Sequence, residues 1–334
     1  MEPNPTSTLA TGRESTPAQP APPGATSWWF LFLLAMTNLM WAGQGSAAKT
    51  LEQSAAEGGA PWGPIAITFV PFYVTTLLFV PLLVWQRRRN PNRVRPSGAD
   101  WWQFAVAGVG GQMFAQLGMT WGIIKSLASN GAILNLLIPV ISALLASLML
   151  GERLTRLRVL CLVIGLAGVS LMSVRDFEDS SFFQKSYLVG NLLILIGCCG
   201  SSFYNVYCKG LLTRFAEVEI LIFSYITASL ATLPLLVWYE PFELANLAAL
   251  DWRGWLAFGF LAVFMYGVSM LLFFHVLEHL SVTVASASLY LVPVFGVLFA
   301  FAILGEQLSP VSLAGAAIVL ASTVLIMRYD TSAS

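Results

Sequence analysis

The sequence predicts an all-α integral membrane protein in which ten transmembrane helices form two inverted five-helix repeats around a central cavity. Three observations carry that prediction. Of 334 residues, 57% are hydrophobic and only 10% charged, against about 25% charged in soluble domains, and the mean hydropathy is +0.74. The apolar residues gather in ten runs, most of them near the roughly 20 residues a helix needs to cross a bilayer. Finally, an apolar run, Leu-Gly-Glu and a second apolar run occur twice, around Leu150-Gly151-Glu152 and Leu304-Gly305-Glu306. The runs are continuous rather than alternating, which argues against strands, and a helix pairs its backbone groups internally.

The elements follow in chain order. Residues 1–27 are rich in Pro, Ser, Thr and Ala and are expected to form a disordered tail. They lack the charged start and apolar core of a signal peptide. The first run, 28–49, carries Asn38, Trp41 and Gln44 at intervals of three, hence on one face. A polar face with an aromatic suits a small polar or amphipathic solute, and it also suits interhelical hydrogen bonding. The second run, 63–85, ends in QRRRNPNRVRP. The third, 101–122, has Gln112 and Gln116 on one face and a glycine-rich VAGVGGQ that allows close helix approach.

The fourth run, 127–150, opens with Asn130 and Asn135 and contains Pro139, where a missing N–H can hinge a helix. The fifth is 156–174. The sixth, 187–208, holds Ser201, Tyr204, Asn205 and Tyr207, and the seventh is 216–238. The eighth, 253–276, holds Tyr266 and Ser269, with His275 near its end and His279 in the following loop. A lone interfacial histidine reads as an ordinary polar contact. The ninth, 281–303, holds Ser286, Ser288, Tyr290 and Pro293, and the tenth is 309–328. Cys161, Cys198, Cys199 and Cys208 fall within apolar runs without metal-ligand spacing and read as buried thiols.

Ten spans place both termini on one side. With the N-terminus inside, the inner segments hold Arg13, Arg87, Arg88, Arg89, Arg93, Arg95, Arg153, Arg156, Arg158, Lys209, Arg214 and Arg328. The outer segments hold only Lys49, Lys125, Arg175, Lys185 and Arg253. The positive-inside rule therefore puts both termini in the cytoplasm. Lys49 and Lys209 end their helices, where a lysine buries its stem and keeps its head wet. With 17 basic and 17 acidic residues there is no surplus for nucleic acid.

The repeat extends beyond the Leu-Gly-Glu pair. At an offset of 154 (305 minus 151), Pro139 falls on Pro293, Leu144 on Leu298, Trp101 on Trp255 and Gln112 on Tyr266. At a slightly different offset Lys49 falls on Lys209, Gln44 on Tyr204 and Gly45 on Asn205. The copies are expected at 28–174 and 187–328. An odd number of helices per copy forces them to be inverted, an arrangement common in secondary transporters, whose site lies between the halves. Gly151 suits a helix C-cap. Thr155, and Ser309 with Pro310, suit the next helix start. Glu152 and Glu306 then precede a helix N-terminus, where negative charge is favoured.

The stretches NLMWAGQGSAAK, ASNGAILNLLIPVISALLASLMLGERLTRLRVLCLVIGLAGVSLM and VASASLYLVPVFGVLFAFAILGEQLSPVSLAGAAIVLASTVLIM resemble the EamA-like family of the drug/metabolite transporter superfamily. The resemblance spans Trp28 to Met327. It implies two five-helix bundles around a central cavity and export or exchange of small metabolites. The expected function is a secondary transporter of a small organic metabolite, such as an amino acid, by alternating access. The expected substrate-binding residues are Asn38, Trp41, Gln44, Gln112, Gln116, Asn135, Tyr204, Asn205, Tyr266, Ser286 and Tyr290.

No catalytic residue, metal or cofactor is expected. The expected partners are a small-molecule substrate and membrane lipid, not nucleic acid, and a homodimer is compatible with the sequence. Short loops and the lack of targeting signals point to a bacterial inner membrane. No Asp or Glu lies mid-span, which argues against a carboxylate proton relay. The alternatives are a non-transporting receptor or partner subunit, and an intramembrane enzyme, which lacks a nucleophile–base pair or paired carboxylates here.

Overall fold

The computed structural model describes residues 25–89, 95–126, 128–172, 185–240, 242–304 and 310–329. The described residues are mostly helical, with no strand among them. The helices are α1 (Ala25–Ala42), α2 (Gln44–Glu57), α3 (Pro64–Arg89), α4 (Trp101–Ala105), α5 (Phe114–Ile124), α6 (Ala128–Asn135), α7 (Ile138–Leu150) and α8 (Arg156–Met172). There follow α9 (Lys185–Leu212), α10 (Glu217–Trp238), α11 (Ala245–Ala248), α12 (Trp252–Gly259), α13 (Ser269–His279), α14 (Val282–Ala287), α15 (Leu291–Leu304) and α16 (Pro310–Tyr329). Two π-helical segments, Val106–Met113 and Phe260–Val268, join α4 to α5 and α12 to α13. Among the described residues, five helical stretches are long and apolar enough to cross a membrane: Pro64–Arg89, Asn130–Leu150, Tyr187–Leu212, Glu217–Trp238 and Trp252–His279.

The two parts of the chain repeat their punctuation. The π segments start at Val106 and Phe260, α6 and α14 at Ala128 and Val282, α8 and α16 at Arg156 and Pro310, while α7 and α15 end at Leu150 and Leu304. Each pair is 154 residues apart. Helix packing is reciprocal as well. α1 lies on α13 and α15, and α9 lies on α5 and α7. α3 lies on the second π segment, α10 on the first, and like meets like where α3 touches α10 and α8 touches α16.

Glycine makes the tightest of these crossings possible. A Cβ on Gly118 of α5 would lie 2.6 Å from the Gly197 nitrogen of α9, and one on Gly315 of α16 would lie 2.6 Å from the Gly168 carbonyl oxygen of α8. The VAGVGGQ stretch works in the same way: a Cβ on Gly108 would meet the Ser224 carbonyl oxygen at 2.1 Å, and one on Gly111 would meet Tyr204 at 2.8 Å. Small residues let helices approach in the absence of a hydrophobic drive between them.

Four expectations are corrected. Ala25–Ser27, assigned to the tail, already belong to α1; residues 1–24 lie outside the described residues. The first run does not end at Lys49. It breaks at Gly43, and α2 continues to Glu57, because QGSAAKTLEQSAAE is built from good helix formers and buries Leu51, Ser54 and Ala55. His279 is the last residue of α13, not a loop residue. Cys199 is exposed, while Cys161, Cys198 and Cys208 are buried.

The prolines act differently from a simple kink. The fourth run is interrupted at Leu136-Leu137, and Pro139 sits in the first turn of α7, where its missing N–H has no intrahelical partner to lose. In the second copy a 3-10 turn, Ser288–Tyr290, precedes α15, and Pro293 is that helix's third residue.

Candidate substrate site

The sharpest polar feature lies at the π segments. Gln112, on the first, approaches the hydroxyl of Tyr204 on α9. Tyr266, on the second, has its hydroxyl approached by Gln44 at the start of α2. Gln112 and Tyr266 are equivalent in the repeat, as are Tyr204 and Gln44, so the two contacts, each between a glutamine of the first copy and a tyrosine of the second, correspond with the residue types exchanged. A π segment closes its hydrogen bonds one residue further along the chain than an α-helix and is frequently found at functional sites. Here it occurs twice, at one register.

A buried aromatic wall backs both contacts. Tyr204 and Tyr266 are buried. Tyr204 shares a hydrogen bond of 2.9 Å with Ser224, and Tyr225 donates to the Tyr266 carbonyl at 3.0 Å. Phe72 stacks on Tyr225, with ring centroids 3.8 Å apart, and meets Tyr266 edge-on. Gln116 Nε2 donates to Gln112 Oε1 at 3.4 Å. Ser224, Tyr225 and Phe72 were not singled out from the sequence. The available signal was the polar FSY step inside the seventh apolar run.

A second polar group lies where α1 meets the turn before α15. Asn38 Nδ2 donates to the Leu34 carbonyl at 2.7 Å and to Ser288 Oγ at 3.0 Å. Asn38 Oδ1, Ser286 Oγ and the Tyr290 hydroxyl are buried without a hydrogen-bond partner among the described residues. Each such group costs on the order of 1–3 kcal/mol. The remaining predicted residues lie elsewhere. Trp41 packs on Phe273 with ring centroids 5.2 Å apart. Asn135 Oδ1 accepts from the Cys198 thiol at 3.7 Å, and Asn205 is buried on α9. The structure thus divides the predicted residues into two groups and sets Trp41, Asn135 and Asn205 apart.

The charged residues sit at the helix ends. Gly151 closes α7 at φ +70, and Thr155 Oγ1 accepts the Arg158 N–H at the start of α8. Because Thr155 already caps α8, Glu152 serves a different helix. It accepts from the Val282 N–H at 2.6 Å, and from the Thr283 N–H at 3.2 Å and hydroxyl at 2.9 Å. The Leu-Gly-Glu carboxylate therefore caps α14 in the other copy, with the buried Arg158 guanidinium 3.7 Å away. Glu306 lies outside the described residues. Lys209 donates to the carbonyls of Leu277 and Glu278 at 2.6 and 3.0 Å, closing α13, whereas Lys49 is exposed.

Two carboxyls outside the apolar helices are held below their usual range. For Asp100 the cause is first the Ser97 N–H and hydroxyl, then Arg214. For Asp251 it is first the Ser54 hydroxyl, at 2.6 Å, then the Gly254 N–H.

The EamA-like transporter family's sequence model matches residues 27–174 and 188–328. A protein of Streptantibioticus cattleyicolor, named "Probable terminal-alkyne amino-acid exporter", is 27% identical over 235 residues, covering 70% of this chain and 75% of its own. An uncharacterized transporter of Synechocystis sp. is 26% identical over 281 residues, covering 78% and 82%. A solved crystal structure superposes with a TM-score of 0.72 over 89% of this chain and 96% of the other, at 18% identity, and shares the fold.

Proposed function

The chain belongs to the EamA-like transporter family, and on that premise we propose that it is a secondary transporter of a small organic metabolite working by alternating access. Membership makes it an integral membrane transport protein rather than an enzyme, with a small-molecule substrate and a lipid environment. In the proposed topology the ten apolar runs each cross the membrane, and the copies at 28–174 and 187–328 are inverted. Both termini are cytoplasmic, in a bacterial inner membrane. The observation that carries the reading is the exchanged tyrosine–glutamine contact at the two π segments. In an inverted repeat the pseudo-axis relates equivalent contacts between the copies, and secondary transporters bind substrate at the interface between the repeats.

The substrate contacts assigned are Gln44, Gln112, Tyr204 and Tyr266, extended by Gln116 and Asn205 on one side and by Asn38, Trp41, Ser286 and Tyr290 on the other. Amide and hydroxyl groups without a mid-span carboxylate favour a polar, zwitterionic or neutral solute. An amino acid is the first class to test, given the name of the Streptantibioticus relative, and export is the direction proposed. The test is counterflow in proteoliposomes with a panel of labelled amino acids, sugars and nucleosides. Saturable uptake of one class is expected, lost in Gln44→Ala and Gln112→Ala proteins that keep wild-type thermal unfolding. Normal transport by both variants would remove the site assignment. Absence of counterflow for every class would count against transport by this route.

A further inference from the structure

We propose that His275, Glu278 and His279 form a binding site for a divalent transition-metal ion of the zinc type at the end of α13. The inference is independent of the transport reading. One ligating atom of each side chain lies within 4.8 Å of the other two. His275 and His279 are four residues apart and Glu278 three from His275, so all three project from one helical turn.

The histidines are prepared for an ion by their other nitrogens. His275 Nδ1 lies 2.9 Å from Glu217 Oε1, and His279 Nδ1 lies 2.8 Å from the His275 carbonyl oxygen. A carbonyl can only accept, so Nδ1 is the donor of His279, and the neutral ring then leaves Nε2 with its lone pair; His275 takes the same tautomer when it donates to an ionised Glu217. An imidazole whose outer N–H is held by a carboxylate or a main-chain carbonyl is the usual supporting arrangement of a metal-ligating histidine. Phe30 of α1 flanks both rings, with centroids 5.2 Å from His279 and 6.3 Å from His275.

The electrostatics agree. The site closes the C-terminal end of a helix, where the macrodipole favours a cation. Glu217 and Glu278 outweigh Lys209, which is engaged with main-chain carbonyls. Glu278 and His279 are exposed and His275 half-buried, so an ion arrives from water, and exposed rotamers can close the distance to metal–nitrogen bonds of about 2.0–2.1 Å. Two imidazoles and a carboxylate, with water as the fourth ligand, match the tetrahedral preference of zinc. A bound ion would tie α13 to α10 through Glu217 and to α1 through Phe30.

The test uses the purified full-length protein, stripped of metal, in detergent. Calorimetric titration with Zn2+ should show one saturable ion per chain, and Co2+ should give the intense visible bands of tetrahedral coordination. His279→Ala should weaken Zn2+ binding at least about 100-fold without altering the unfolding of the metal-free protein. Glu217→Gln, which keeps every ligand, should weaken it by about 10–100-fold. Should His279→Ala fail to fold, Glu278→Gln serves in its place, with loss of the tetrahedral Co2+ spectrum expected. Absence of saturable Zn2+ binding would overturn the site. So would binding indifferent to these substitutions, or Zn2+ displaced by millimolar Ca2+, the behaviour of exposed carboxylates alone.

Discussion

Glu152 joins the two copies through one side chain. Its carboxylate accepts three hydrogen bonds from the first residues of α14 and faces the buried Arg158. Glu152→Ala should therefore lower the thermal midpoint in detergent, by the equivalent of about 1–3 kcal/mol for orphaned donors. Glu152→Gln, which keeps one acceptor oxygen, should lose less, and equal losses would mean that the cap contributes nothing specific. Asp251 gives a pH test at the same scale. Its folded carboxyl sits below the unfolded value, so it contributes stability above the unfolded value, and that contribution fades as pH falls through the folded one. Ser54→Ala removes the leading cause. Its thermal midpoint should fall less steeply than the wild type's between about pH 5 and 3. The sequence showed the Leu-Gly-Glu glutamate beside a helix start, but not which start, because Val282 lies 130 residues on and only packing brings it near.

At the scale of elements, the glycine crossings yield a paired prediction. A Cβ at Gly118 would meet only backbone atoms of α9, whereas one at Gly45 would meet nothing within 4 Å. Gly118→Ala must push α5 and α9 apart, at an overpacking cost of about 1–3 kcal/mol. Gly45→Ala should be neutral or raise the midpoint, since alanine favours a helix over glycine by about 0.5–1 kcal/mol. Thermal unfolding of the two variants checks the difference, and equal effects would mean that α5 and α9 do not cross at Gly118. Much of this level is legible in the chain. Each apolar run is mainly helical where described, with breaks at Gly43 and at Leu136-Leu137, and VAGVGGQ is read correctly as a close-approach stretch. The π segments are not legible, because apolar periodicity hardly distinguishes hydrogen bonds closed one residue further along over eight or nine positions. Nor is α2, whose polar composition hides a helix that continues beyond the hydrocarbon length.

For the molecule as a whole, the repeat is legible and its inversion is an expectation from parity alone, so orientation is what needs measuring. Reciprocal packing of α1 on α13 and α9 on α5 is what an axis exchanging the copies requires. An axis in the membrane plane further requires equivalent positions to face opposite compartments. Gln53, within α2, and Thr213, just past the end of α9, are such a pair, 160 residues apart like Lys49 and Lys209, and both are exposed. In a background with Cys199 replaced by Ser, leaving the three buried thiols, a membrane-impermeant maleimide should label Gln53→Cys in intact cells. Thr213→Cys should be labelled only after permeabilisation. Labelling of both from the same side would exclude inverted copies, and with them the assignment of the exchanged tyrosine–glutamine contacts to a pseudo-axis at mid-membrane. Reversed labelling would keep the inversion and turn the termini outward, against the charge asymmetry around the arginine-rich end of α3. The outcome therefore separates two inferences that rest on different residues: the inversion on the repeat, and the orientation on the arginines.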